Sequence, residues 1–119
     1  MKPCAIYTRT ATESSYSCEA QRETCATLAD ERGWAVLAER FDDPLCSGFR
    51  RQRSGLALLL ERVQAGAVGV VLVWRMDRLS RSHEQFSVLR AELQSRGVRL
   101  ISAAEGDLDS WYVLATEVE

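Results

Sequence analysis

The stretch Val68–Arg81, VGVVLVWRMDRLSR, limits the folds open to this chain more than any other. Its first seven residues are apolar or glycine, a run too short for a typical helix and rich in β-branched Val. Such a run predicts a strand buried on both faces, in the middle of a parallel sheet. Directly after it come Arg75, Asp77, Arg78, Ser80 and Arg81, three fixed positive charges and one carboxylate within seven residues. Ligand sites in open α/β sheets form just beyond the carboxyl ends of strands. A buried strand that empties into so polar a loop marks a candidate active-site edge.

The rest of the chain supplies partners for that strand. Cys4–Thr8 predicts a first strand, and Arg9 to Ser17, rich in Ser, Thr and Glu, a loop. Ser17 is placed to cap a helix with Glu19 in its first turn; Cys18, Gln21, Cys25 and Leu28 recur at helical spacing, and Gly33 ends it. Trp34–Phe41 predicts a second strand, followed by a turn-rich connection over 42–54 with Pro44 and Gly48. Leu56, Leu59, Leu60 and Val63 form an amphipathic stripe closed by Gly66. Ser82 and Gln85 make a capping-box pattern before Phe86, Leu89 and Leu93; Gly97 closes that helix and Val98–Ala103 reads as a fourth strand. In 104–119, EGDLDS reads as a loop and WYVLATEVE as a further helix or an edge strand. Strands alternating with helices predict a single α/β domain, with a mostly parallel sheet of about four to five strands flanked by helices.

Composition narrows the function. The 119 residues suit one domain, without an apolar run long enough to span a membrane. The start, MKPCAIYT, lacks the apolar core of a signal peptide, so a cytoplasmic protein is expected. Cys4, Cys18, Cys25 and Cys46 form no C-x-x-C pair and His83 is the only histidine, so neither a metal site nor a disulfide framework is expected. Cys18 and Cys25 read as small core residues, and His83 as a solvated helix start. Net charge is -2, but residues 44–83 hold seven Arg against Glu61 and Asp77, a local +5 that leaves -7 elsewhere. A basic zone on an acidic body suits an anionic ligand docking at one face; a solvated charge run is the plainer alternative.

Arg9, the group Arg50, Arg51 and Arg53, and the group Arg75, Arg78 and Arg81 each follow a predicted strand. In a parallel sheet these ends share one edge. Guanidinium stays charged at any working pH and grips phosphate oxygens two at a time. A convergent set could stabilise the added charge of a phosphoryl-transfer transition state, with Asp77 orienting an arginine or handling a proton. A structural ion-pair network would use the same residues.

Four segments in order resemble one family. DRLSR at 77–81 is similar to the D-R-L-[SG]-R signature of the serine recombinases of resolvase and invertase type. Y-T-R at 7–9 resembles the start of that family's Y-x-R-x-S motif, S-x-E-A-Q at 17–21 the stretch after it, and FDDPLCSGFRRQRSGL at 41–56 its D-D-x-x-x-S-G…R-x-G-L region. The resemblance implies a resolvase-like catalytic domain over 1–105. It reads 106–119 as a segment opening a further helix, without the family's separate DNA-binding domain. It implies metal- and ATP-independent DNA cleavage, in which a serine becomes joined to the 5′ end and strands are exchanged within a tetramer. DNA is the implied partner, with a homo-dimer or tetramer in the full-length protein and no cofactor.

By position, Arg9, Arg53, Asp77, Arg78 and Arg81 match the family's active-site residues. Gln21 and Ser47 would support them, and Arg50, Arg51 and Arg75 would contact phosphate. The nucleophilic serine should stand two places after Arg9, where this chain has Ala11. A methyl group cannot attack phosphorus, so the resemblance implies a domain inactive as written. Thr12 lies one residue on, and an extended segment points it elsewhere. Natural loss and deliberate replacement both fit the alanine. The functions left open are a recombinase, disarmed at position 11 or cutting with a substitute hydroxyl such as that of Thr12, and a non-catalytic pseudo-recombinase that binds DNA or pairs with active subunits. A third is an unrelated phosphate-ligand domain, against which stands the lack of any G-x-G-x-x-G or P-loop pattern.

Overall fold

The computed structural model describes residues 2–10, 16–44, 54–79 and 82–108, the side chain of His83 excepted. The element order is β1 (Pro3–Arg9), α1 (Cys18–Arg32), β2 (Ala35–Val36), β3 (Phe41–Asp43), α2 (Ser54–Gln64), β4 (Val70–Val73), α3 (Met76–Leu79), α4 (His83–Ser95), β5 (Arg99–Ser102) and β6 (Gly106–Asp107). The sheet runs β2-β1-β4-β5-β6, with β3 also paired to β1, and every pairing is parallel except β5 with β6. The expected α/β domain with a mostly parallel sheet is therefore the observed fold.

Burial explains the central strands. All four residues of β4 are buried, as is β1 from Cys4 to Arg9. Because side chains alternate along a strand, Ala5, Tyr7, Val71, Val73 and Leu100 face one way and pack with Leu59, Val63, Phe86 and Leu93 of α2 and α4. Cys4, Ile6, Val70, Leu72 and Ile101 face the other way and pack with Cys25 and Ala29 of α1. Burial pushes the Cys4 and Cys25 thiols from 9.0 up to about 12, so neither is a ready thiolate. Cys18, expected in the core, is only half-buried because it opens the helix, while Cys46 and the His83 side chain lie outside the described residues.

The topology also fixes where a ligand would sit. From β1 the chain crosses to β2 on one side, whereas β4 lies on the other. That reversal is a topological switch point, and the crevice beyond the carboxyl ends of β1 and β4 is the favoured ligand position. Arg9 ends β1, and Arg75, Asp77 and Arg78 follow β4.

Helix ends follow the sequence signals: Ser17 accepts from the Ala20 amide at 3.1 Å, Gly33 takes φ 74°, and Ser82 accepts from the Gln85 amide at 3.2 Å. The strand expected over Trp34–Phe41 is instead split. Between the Pro3–Ala35 and Tyr7–Phe41 pairs, β1 advances four residues (3 to 7) while its partner advances six (35 to 41). The excess bulges outward, because Glu39 pairs with Arg62 of α2 at 2.8 Å and Arg40 with Glu19 of α1 at 3.0 Å. Those arginines hold both carboxyls below the usual range. The Leu37 carbonyl accepts from Arg22 at 3.3 Å. Two short elements were also not expected: the helical turn α3 directly after the central strand, and β6 where a loop was read.

Gly55 lies so close to β3 that a Cβ there would sit 2.7–2.9 Å from the backbone of Asp42. Backbone cannot yield as a flexible side chain does. Gly55→Ala is therefore expected to destabilise the domain by about 1–3 kcal/mol, outweighing the ~1 kcal/mol that alanine gains over glycine inside a helix. Urea unfolding measures this, and an unchanged or raised midpoint would contradict it.

Candidate functional site

Arg9 is wholly buried at the end of β1. A buried guanidinium needs hydrogen-bond partners to offset its lost hydration. Its Nε donates to the carbonyl of Arg78 at 2.9 Å, and its Nη2 donates to the carbonyl of Asp77 at 2.6 Å. A planar fork thus reads two consecutive carbonyls of α3 and ties that turn to β1.

Gln21, also fully buried, closes the other side. Its Oε1 accepts from the Arg9 amide at 3.3 Å, while its Nε2 donates to the carbonyls of Arg9 at 3.0 Å and Tyr16 at 2.7 Å. One carboxamide therefore joins the two residues between which the segment carrying position 11 runs.

A third anchor, Asp43, was not singled out from the sequence. It is buried at the end of β3 in register with Arg9. Its carboxylate accepts from the Tyr7 hydroxyl at 2.7 Å, the Gly55 amide at 2.7 Å and the Leu56 amide at 3.0 Å. A carboxylate here complements the first amides of α2, and it fixes the chain two residues after Arg53. The only sequence signal was the D-D and G-L positions within the 41–56 resemblance. Beside it, Thr8 donates its hydroxyl to Asp42, which also pairs with Arg40 at 2.9 Å.

The cationic part of the site follows β4. Asp77 Oδ1 is shielded from solvent and lies 3.5 Å from Arg78 Nε and 3.9 Å from Arg75 Nε, at ion-pair distance. The guanidinium carbons of Arg78 and Arg75 lie 5.0 and 5.6 Å from the ring centroid of Trp74, against which Tyr16 packs at 4.4 Å. An aromatic ring orders a guanidinium without neutralising it, leaving charge for an anion. The Arg75 side chain is half exposed and that of Arg78 is 11% exposed, so one reaches into solvent while the other is held.

Of the residues expected in the site, the structure brings together Arg9, Gln21, Asp77, Arg78 and Arg75 at the β1/β4 switch point. Ala11, Ser47, Arg50, Arg51, Arg53 and Arg81 lie outside the described residues. Among the described residues no group of three or more His, Cys, Asp or Glu could hold a metal ion, and no helix is long and apolar enough to cross a membrane.

Residues 4–114 match the family model for the resolvase N-terminal domain. The chain is 40% identical over 65 residues to the serine recombinase gin of Escherichia phage Mu, covering 55% of this chain and 32% of that protein. It is 35% identical over 78 residues to the transposon Tn552 resolvase of Staphylococcus aureus, covering 66% of this chain and 39% of that one. The chain thus spans about a third of the length of these curated relatives. The N-terminal catalytic domain of TP901-1 integrase is similar in structure, with a TM-score of 0.81 and 29% identity over 88% of this chain and 80% of that one. The C-terminal catalytic domain of ISC1926 TnpA, an IS607-like serine recombinase, follows with a TM-score of 0.77 and 28% identity over 85% and 70% of the two chains.

Gln21→Leu would leave the Arg9 amide and the carbonyls of Arg9 and Tyr16 without this partner. A loss of about 2–3 kcal/mol is expected, the scale for stranding buried polar groups. Denaturant unfolding checks it, and a loss below ~0.5 kcal/mol would mean the carboxamide holds nothing.

Proposed function

The chain belongs to the resolvase N-terminal domain family, and we propose that it is the phosphate-gripping catalytic unit of a site-specific DNA recombinase whose nucleophile position holds Ala11. The observation that carries this reading is the meeting of Arg9, Asp77 and Arg78 at the switch point, with position 11 two residues beyond Arg9. Relatives named as serine recombinase, resolvase and integrase support it.

In this reading Arg78 and Arg75 hold the scissile phosphate, with Arg53 and Arg81 completing the grip and Arg50 and Arg51 contacting neighbouring phosphates. Ser47 supports the grip from the same connection as Arg53. Arg9 works from beneath, by fixing the turn that carries Asp77 and Arg78. Asp77 orients the two arginines it faces and is placed to handle a proton. A serine at position 11 would form an O–P bond to the scissile phosphorus, break the bond to the 3′ oxygen and keep the 5′ end on the protein. The methyl of Ala11 has no lone pair with which to begin. DNA binding and assembly into a dimer or tetramer require no such hydroxyl. Ala11 therefore also favours a second reading, a subunit that pairs with active copies and occupies DNA without cutting it.

The test joins this chain and its Ala11→Ser variant to the DNA-binding domain of a matched relative and incubates each with paired sites for that domain. A denaturing gel is then read for a DNA–protein adduct. An adduct with the serine variant alone is the expected result. An adduct with the unaltered chain would show that a neighbouring hydroxyl such as Thr12 serves, and none with either would remove the recombinase reading of this site.

A further inference from the structure

The end of β5 reaches across to the turn that carries Asp77 and Arg78. Ser102, 1% exposed, is the last residue of β5 and is in register with Val73, the last residue of β4. Its hydroxyl lies 2.6 Å from Glu105 Oε1 and 3.2 Å from the Trp74 carbonyl. A hydroxyl has one proton, and the shorter, charge-assisted bond to the carboxylate takes it. The Trp74 carbonyl is satisfied by the Ala104 amide at 3.0 Å instead. The hydroxyl oxygen in turn accepts from the Glu105 amide at 3.1 Å and shares the Ala104 N–H, at 3.2 Å, with that carbonyl. Ser102 thereby fixes the backbone and the carboxylate of Glu105 together.

The same Glu105 oxygen accepts the Met76 amide at 2.8 Å. Met76 is the first residue of α3, and its amide points away from that turn's own carbonyls. The turn is thus held at both ends by opposite charges. A carboxylate from the turn between β5 and β6 takes its leading N–H, and the Arg9 guanidinium from β1 takes the carbonyls of Asp77 and Arg78. That polarity matches the dipole of a helical turn.

We infer that Glu105, set by Ser102, is a positioning residue for the Asp77–Arg78 turn. It touches no phosphate; it keeps Arg78 aimed at one. This rests on the proposed reading of Arg78 as a phosphate ligand.

Charge alone and positioning predict opposite signs. Removing a carboxylate near a phosphate site strengthens anion binding by Coulomb's law. Removing a support of the turn weakens it. The experiment measures binding of a short duplex DNA to the unaltered chain, Glu105→Ala, Glu105→Gln, Ser102→Ala and Arg78→Ala at fixed salt. Amide hydrogen exchange at Met76 is followed in each. Glutamine keeps an acceptor oxygen without the charge.

The expected result is binding about three- to tenfold weaker in Glu105→Ala, on the scale of one charge-assisted hydrogen bond, and weaker also in Ser102→Ala. Glu105→Gln should return to parental affinity or better, and Met76 exchange should quicken in the two alanine variants only. Equal or tighter binding by Glu105→Ala, where Arg78→Ala binds more weakly, would overturn the inference. If Arg78→Ala binds as well as the parent, the phosphate reading of Arg78 fails. The positioning role is then judged on Met76 exchange, and an unchanged rate in Glu105→Ala overturns it too.

Discussion

A guanidinium without solvent is the condition around which this domain is arranged. Burying Arg9 costs on the order of several kcal/mol of hydration, and the cost is offset only where good acceptors meet it. Two of its donors are met by consecutive carbonyls of α3, and the backbone on either side of its Cα is met by Gln21. Those acceptors exist only if α3 turns directly after β4 and α1 begins where Ser17 caps it. The charge at the end of β1 therefore fixes the segments on both sides of it, through the partners it requires.

In the proposed reading, this is how the edge keeps its order with Ala11 at the nucleophile position. Among the described residues, Arg9, Asp77, Arg78 and Asp43 are ordered by hydrogen bonds and ion pairs, kinds of contact that an alanine methyl cannot make. Asp43 is held by Tyr7 and by the first amides of α2, and the α3 turn by Glu105 and Arg9. In the proposed reading, alanine in place of serine would remove the chemistry and leave the grip. In that same reading such a subunit would still occupy phosphate within an assembly, so binding and cutting are separate questions.

The sheet was legible in the sequence where burial alone decides. Val70–Val73 and Cys4–Thr8 are apolar runs, and Ser17, Gly33 and Ser82 stop or start helices through local hydrogen bonds. The strand expected over 34–41 is split because Glu39 and Arg40 answer to charges on α2 and α1, a tertiary pull with no local signature. The α3 turn is only four residues long, too short for any periodicity to register. Within the site, Arg9, Asp77 and Arg78 stood out by charge and by position after strands. Gln21 lies on the periodic face of α1 with Cys25, which points to burial, but its place in the site comes only from the resemblance. Asp43 and Glu105 were missed for one reason: each caps a helix that begins far from it in the chain, and such pairing appears only once the strands lie side by side.

In the proposed reading, the Arg9 fork sets the turn on which phosphate chemistry depends. Arg9→Lys tests it most directly, placed in the Ala11→Ser background and read as DNA–protein adduct formed per folded molecule. Lysine keeps the charge but presents a point donor in place of a fork, and it cannot reproduce the planar bidentate grip on two carbonyls. The expected result is a folded protein whose adduct formation falls at least ~tenfold, the factor that corresponds to about 1.4 kcal/mol of lost transition-state stabilisation. Adduct formation at the rate of the arginine parent would contradict it.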